Sequence, residues 1–241
     1  MRPSDQKTAI LPLARTLFEA SGVSERVAAS TVDRLLEVAD LRTYARGQVI
    51  CLLGEVVTHL HVFLEGTVEV STEDADGDRA VCWYMGPGHW LGLISVLDGK
   101  PSPHNYLAHT DTSALLIPRP LFLDAMADDP KLARLCISIL CKRARRLFGQ
   151  QAADILLPLR ARIARLLLML HAQWGNAGPD DRDLGLKFSQ DDFAAMLGVS
   201  RQSLNRELRA LEAEGRISLA YARIRLLDIP ALKAAASKTA P

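Results

Sequence analysis

The spacing of apolar positions changes along the chain, and each change marks a different kind of structure. Residues 5–38 carry helical spacing: Val27, Val32, Leu35 and Leu36 recur along one face, and Ser24 stands where an N-cap would. From about residue 41 the apolar runs become short and are broken by glycines, as in RGQVICLLGE, HLHVFLEGTVEVS, RAVCWYMGPGHWLG and HTDTSALLIP. Val68 and Val70 alternate with Glu69 and Ser71, the pattern of a half-buried strand. Asp76-Gly77 is a hairpin signal. Gly47, Gly54, Gly66, Gly86, Gly88 and Gly92 sit at turns between the runs. Many short strands with regular turn signals predict an antiparallel sandwich or barrel.

After Pro118 the texture becomes helical, with no glycine until Gly149. Leu132, Leu135, Ile139 and Leu140 share one stripe, Leu147 lies further along it, and Cys136 and Arg143 lie at its edge. A narrow apolar stripe on a helix of about 25 residues predicts burial against a partner helix. Packing on the chain's own barrel is the alternative. Pro158 suits the start of the next helix, LRARIARLLLMLHAQW, and the polar loop GNAGPDDRD follows it.

The most specific pattern lies near the C-terminus. Ser189 with Asp192 three residues on is a capping box opening a short helix, with Phe193, Met196 and Leu197 on its apolar face. Gly198 permits a sharp turn. Ser200 caps a second helix, Arg201 to Glu214, with Leu204, Leu208 and Leu211 inward, and Gly215 ends it. Ile217/Leu219 and Ile224/Leu226 then alternate as a two-stranded wing. Helix, tight turn, helix and hairpin make a winged helix-turn-helix.

Composition adds limits. Half of the residues are hydrophobic (49%) and 24% are charged, and no apolar run approaches the roughly 20 residues of a membrane span. The N-terminus has no small-residue cleavage site and reads as a folded segment. No pair of the cysteines Cys51, Cys82, Cys136 and Cys141 has C-x-x-C spacing, which speaks against zinc or a disulfide framework and fits a reducing cytoplasm. Cys136 and Cys141 are five apart, so they face different sides of their helix. The net charge of +1 conceals an asymmetry: residues 1–158 carry 16 Lys/Arg against 19 Asp/Glu, and residues 159–241 carry 13 against 9. A basic C-terminal part suits nucleic acid. No glycine-rich phosphate loop, G-x-S-x-G or H-E-x-x-H is present, which argues against an enzyme.

The chemistry follows from helical geometry. With three leucines inward, the second helix presents Arg201, Gln202, Asn205, Arg206 and Arg209 outward. A major groove admits one α-helix; an arginine fork matches guanine O6 and N7, and Gln or Asn matches adenine N6 and N7. Base readers are therefore Arg201, Gln202, Asn205 and Arg206. Ser189, Ser200 and Ser203, near helix N-termini, suit phosphate oxygens, as does Arg209. A protein-binding module on a winged-helix scaffold is the competing reading.

At these residues the chain resembles the Crp/Fnr family of bacterial regulators, from about residue 41 to 229. The glycine-marked roll of that family matches at Gly47, at Gly54-Glu55, at EGTVEV and at GPGHWLG, its dimer helix at about 128–153, and its recognition pattern at Ser200-Arg201-Gln202-Ser203-Leu204-Asn205-Arg206. The resemblance implies an α+β protein: a jelly-roll-like β-roll sensor domain (1–127), a dimerisation helix and hinge (128–157) and a winged helix-turn-helix (158–241). It further implies a homodimer on a palindromic site in double-stranded DNA, RNA polymerase as a partner, and no membrane. Gln202 replaces the glutamate of the cAMP-type members, so the preferred half-site differs.

The sensor departs from the cyclic-nucleotide members. Those carry a G-E-x-[GAS] turn, with the glutamate on the ribose hydroxyl, and an R-[ST] some ten residues on, with the arginine on the phosphate. Here the sequence has Gly92-Leu93-Ile94-Ser95 and then Pro103-His104, with Leu147 and Phe148 where those members place hydroxyls near the purine. These eight residues are the candidate effector pocket, and its ligand is read as other than cAMP. No cysteine precedes Cys51, which speaks against an Fe–S cluster. Heme, ligated from among His59, His61, His89, His104 and His109, stays open. So do a redox switch at Cys51 or Cys82, another small ligand, and no effector at all.

Overall fold

The computed structural model describes residues 27–73, 79–175, 184, 188–220 and 223–237, with Pro12, Arg15 and Thr16. The chain divides into two units, Met1–Arg145 and Arg146–Pro241, and the boundary falls inside a long helix.

The first fully described element of the first unit is α1 (Ala29–Val38), followed by the strands β1 (Asp40–Tyr44), β2 (Val49–Cys51), β3 (His59–Glu65), β4 (Val68–Glu73), β5 (Arg79–Met85) and β6 (Trp90–Leu91). A short helix α2 (Leu93–Asp98) precedes β7 (Asn105–Ala108) and β8 (Thr112–Pro118). The strands form two four-stranded antiparallel sheets, in the orders β1-β8-β3-β6 and β2-β7-β4-β5. Apart from the consecutive pair β4 and β5, neighbours in each sheet are distant in sequence, which is the strand order of a jelly-roll-like roll. The expected Asp76-Gly77 turn lies outside the described residues. The strands that flank it pair antiparallel, with Glu73 opposite Arg79.

Residues Leu60 to Leu64 of β3 are all buried. This continuous run reflects a strand covered on both faces. Trp90 and Phe122 meet edge to face at 6.0 Å between ring centroids. Phe122 belongs to α3 (Arg119–Asp128), which packs with α1 against β8 and β3. Val32, Leu35 and Leu36 of α1 are buried as their spacing predicts. The N-cap position of α1 is Ala28, whereas Ser24 lies outside the described residues. Asp129 takes over the capping role from far along the chain: its carboxylate accepts from Ala28 N at 3.0 Å and Thr31 Oγ1 at 2.9 Å.

Helix α4 (Pro130–Leu156) corrects one expectation. Leu132, Leu135 and Cys136 are buried in the core of the first unit, and Ile139 and Leu140 pack against that core. The stripe read as a partner interface is thus largely filled by the chain's own roll. A second stripe is exposed instead: Ile137 (59%), Cys141 and Phe148 (69%), with half-buried Ala144 between them. Its steps of four, three and four residues are those of a coiled-coil seam. Leu147 flanks it, also exposed. Cys136 and Cys141 face different sides, as their spacing requires.

The second unit contains α5 (Leu159–Trp174), α6 (Gln190–Leu197), α7 (Arg201–Ala213), the hairpin of β9 (Ile217–Ala220) and β10 (Arg223–Leu226), and α8 (Ile229–Ala236). Its core brings together Ile163, Leu167 and Leu170 of α5, Leu204, Leu208 and Leu211 of α7, and Ile217, Ile224 and Leu226 of the hairpin, all buried. Trp174, Phe188 and Phe193 form a chain of edge-on rings at 6.1 and 5.6 Å. Among the described residues no helix is long and apolar enough to cross a membrane.

Candidate nucleic-acid interface

Local chemistry assembles the helix pair at residues 189–213. Ser189 Oγ accepts from Asp192 N at 3.1 Å, and Asp192 Oδ2 accepts from Ser189 N at 2.7 Å, completing the capping box that starts α6. Gly198 closes α6 at φ +62°, a left-handed turn that side chains resist. Ser200 Oγ then accepts from Ser203 N at 3.2 Å and starts α7. At its other end, Arg216 N donates to Leu211 O at 3.0 Å and Gly215 N to Glu212 O at 2.9 Å, the paired bonds of a Schellman cap.

The buried leucines of α7 fix which side chains face out. Arg201, Gln202, Arg206 and Arg209 are exposed. Asn205 is half-buried, and its Oδ1 is enclosed without a hydrogen-bond partner. Of the four expected base readers, three therefore stand free of the core and one is partly withdrawn. The serines among the expected phosphate contacts lie at the helix starts, but their hydroxyls are engaged within the chain. Ser189 Oγ lies 2.8 Å from Asp192 Oδ2, and Ser200 Oγ lies 3.0 Å from Ser203 Oγ. Arg209 Nη1 donates to Glu212 Oε2 at 2.8 Å, and Glu212 Oε1 accepts from Leu219 N at 2.9 Å, joining α7 to the wing. The Leu219 N–H and the Arg209 guanidinium hold the Glu212 carboxyl below the usual range.

Several residues escaped the reading of the chain. Arg160, in the first turn of α5, braces Glu207 and Glu214, and Arg162 donates to the Leu197 carbonyl at the end of α6. Arg201 Nη1 lies 3.6 Å from Asp191 Oδ2 across the turn. On the wing, Arg223 and Arg225 face solvent between buried Ile224 and Leu226. That alternation was visible in the sequence; the braces were not, because they join separate helices. The wing tip, Tyr221 and Ala222, lies outside the described residues.

In the roll, the candidate effector residues are dispersed in character. Gly92 caps α2 at φ +82°, Leu93 is fully buried, and the buried Ser95 donates its hydroxyl to Pro101 O at 3.3 Å. Ile94 (46% exposed) and Pro103 face solvent. His104 is half-buried with Nδ1 enclosed and unpartnered, and its ring lies 6.4 Å from that of Tyr106. Leu147 and Phe148 are exposed on α4. Burial lowers the His104 imidazole, and lowers His61 to about 4. Burial also raises the thiols of Cys51 and Cys82. His59 Nδ1 pairs with Thr58 Oγ1 at 2.9 Å, His89 closes the turn at Gly86, and His109 packs edge-on against Tyr84 at 4.9 Å.

Comparison with known proteins agrees with this architecture. Residues 161–235 match the Crp-like helix-turn-helix domain, and residues 41–129 match the cyclic nucleotide-binding domain. Transcriptional regulator LdrP of Thermus thermophilus is 31% identical over 193 residues, covering 80% of this chain and 95% of that one. The CRP-like cAMP-activated global transcriptional regulator of Mycobacterium tuberculosis is 24% identical over 203 residues, covering 84% and 91%. Among solved structures, FixK2 from Bradyrhizobium japonicum matches the fold with a TM-score of 0.75 at 22% identity, covering 84% of this chain and 100% of that one. A CRP-family transcriptional regulator from Thermus thermophilus gives 0.65 at 29% identity, covering 82% and 97%.

Proposed function

The chain belongs to the Crp/Fnr family of DNA-binding transcription regulators, and from that premise we propose that it acts as a homodimer on a palindromic site, controlled by an effector other than cAMP. Its relatives are transcriptional regulators and not enzymes. The observation that carries the reading is the division of α7. Leu204, Leu208 and Leu211 are fully buried, and the remaining surface offers Arg201, Gln202 and Arg206 to a groove. Arg209 and the wing arginines Arg223 and Arg225 supply positive charge for phosphates. The residues 128–157 form the dimerisation segment between a sensor (1–127) and a DNA-binding domain (158–241). The seam Ile137, Cys141, Ala144 and Phe148 on α4 favours a parallel helix pair, which sets two copies of α7 about 34 Å apart. RNA polymerase is the partner that the family suggests.

For the effector, Leu93 is the telling residue. It stands where the cyclic-nucleotide members carry a ribose-binding carboxylate, and it is apolar and wholly buried. The Ser95 hydroxyl is already engaged by the Pro101 carbonyl. Cys51 and Cys82, with thiols raised by burial, suit packing better than redox chemistry.

Selection from a pool of randomised duplexes tests the DNA reading, with sedimentation at micromolar protein alongside. The expected result is a symmetric motif with half-sites one helical turn apart and a sedimenting dimer, dissociated by Phe148→Glu. A monomer, or an asymmetric motif, overturns it. Millimolar cAMP is expected to leave the melting temperature unchanged, whereas a ligand at about 100 times its Kd would add about 2.7 kcal/mol.

A further inference from the structure

We propose that Asp191 is a positioning residue for base recognition: it holds one edge of the Arg201 guanidinium so that the other edge is presented to a guanine. This rests on the reading of α7 as the groove-entering helix. The first turn of α6 carries two adjacent carboxylates, and their roles differ. Asp192 is spent on the capping box, accepting from Ser189 N and Oγ at 2.7 and 2.8 Å. Asp191 takes no part in that cap. Its carboxylate is 70% exposed and points across the turn to Arg201, with Oδ2 3.6 Å from Nη1.

Charge makes this placement informative. The exposed residues of α7 and the wing include Arg201, Arg206, Arg209, Arg223 and Arg225, with Glu207 beside Arg206 and Glu212 on Arg209. An exposed carboxylate on a face that meets a polyanion repels phosphate and weakens binding to every sequence. Through Arg201, however, the same carboxylate improves selectivity. A guanidinium has five donors in a planar fork, so one carboxylate leaves a full edge for guanine O6 and N7. The pair is weak in water, where both groups are solvated. In a groove, with water excluded, it strengthens and holds the arginine in one rotamer. It also restrains Arg201 from swinging onto a phosphate, a contact that carries no sequence information.

The test uses the full-length dimer with Asp191→Asn, Asp191→Glu and Arg201→Ala, each confirmed folded by its melting temperature. Preference is read by selection from randomised duplexes, and affinity by anisotropy on the selected site and on poly(dI-dC) over a range of KCl concentrations. Asp191→Asn is expected to tighten binding to poly(dI-dC) and to flatten preference at the same base pair that Arg201→Ala erases, losing about five- to tenfold discrimination there. Its salt slope on the selected site steepens by about 0.9 for each Arg201 that moves to a phosphate. Asp191→Glu keeps the wild-type preference. If Asp191→Asn strengthens binding to all sequences equally with the motif unchanged, Asp191 acts by bulk charge and the proposal is overturned. An unchanged motif and affinity overturn it as well. Both outcomes leave base reading by Arg201 standing. If Arg201→Ala itself keeps the motif, that reading fails first and takes this one with it.

Discussion

Arg160 Nε donates to Glu207 Oε2 at 3.1 Å, tying the first turn of α5 to the middle of α7. Nη1 of the same guanidinium donates to Glu214 Oε1 at 2.6 Å. Glu207 and then Glu214 push Arg160 above its ordinary value. One arginine thus braces α7, the helix proposed to enter the groove, at Glu207 and holds the residue that follows it, Glu214. Arg160→Met is expected to cost about 1 kcal/mol, a small value because the side chain is 37% exposed and the pair is screened by water. Affinity falls alike for every DNA sequence, with the motif unchanged. Urea unfolding and duplex selection check this; a changed motif would show that Arg160 affects base reading.

The turn at Gly66 leaves no room for a side chain. At φ +84°, an added Cβ would lie 2.3 Å from the Asp111 carbonyl oxygen and 2.7 Å from Thr112 Cα. Both obstacles are backbone and cannot rotate away. Gly66→Ala is expected to destabilise by about 3 kcal/mol or more, combining left-handed strain with overpacking. Gly47 has nearly the same φ, +83°, with nothing within 4 Å. Gly47→Ala therefore isolates the strain, about 1–2 kcal/mol. Equal losses in denaturant unfolding would mean that the Asp111 contact adds nothing.

Asp129 makes α1 sensitive to acid. Burial alone would raise its carboxyl, but the bonds from Ala28 N, Thr31 Oγ1 and Lys131 N outweigh burial and lower it. A carboxyl lowered in the folded state contributes stability above its unfolded value of about 4. That contribution is lost as pH falls through the folded value. Asp129→Asn should therefore be less stable than wild type at pH 7, and the gap should narrow as pH falls below about 4. Melting temperatures across that range measure it. A gap constant with pH would assign the loss to shape instead of charge.

What could be read from the chain alone divides by distance along it. The C-terminal motif was legible because its signals are local: the Ser189–Asp192 box, Gly198, Ser200 and the alternating wing all act within a few residues. The glycine-broken runs told of an antiparallel sandwich or barrel, but not that β1 pairs with β8 some seventy residues on, Asp40 opposite Leu116. Nor did they tell that Asp129 caps α1. Helix α4 carries two apolar stripes, and the richer one was assigned to a partner. Only the tertiary fold decides that Leu132 and Leu135 turn inward, leaving Ile137 and Phe148 outside. Its seam is diluted by Cys141 and Ala144, so leucine counting passes over it. The contact of Asp191 with Arg201 joins two helices across a turn, a relation no single-helix periodicity contains.

Arg206 and Asn205 are neighbours on α7 with different prospects as readers. The Arg206 side chain is 75% exposed, and its Nε lies 3.5 Å from Glu207 Oε1, which leaves donors for guanine O6 and N7. Reading adenine with Asn205 requires the amide oxygen to accept from N6 while the nitrogen donates to N7. Asn205 Oδ1 is enclosed, so the amide cannot offer both edges without moving. Losing an arginine–guanine fork costs about 1–3 kcal/mol per half-site, hence about 2–6 for a symmetric dimer. Arg206→Ala should lose that much on the selected site and relax one base pair in each half. Asn205→Ala should cost less than about 1 kcal/mol per half-site and leave the motif intact. Ser203→Ala should weaken all sequences slightly and equally, since its hydroxyl is bonded to Ser200 and phosphates carry no sequence information. Selection with the three variants separates these roles. If Arg206→Ala keeps the wild-type motif and only lowers affinity, Arg206 is a phosphate contact, and base reading passes to Arg201 and Gln202.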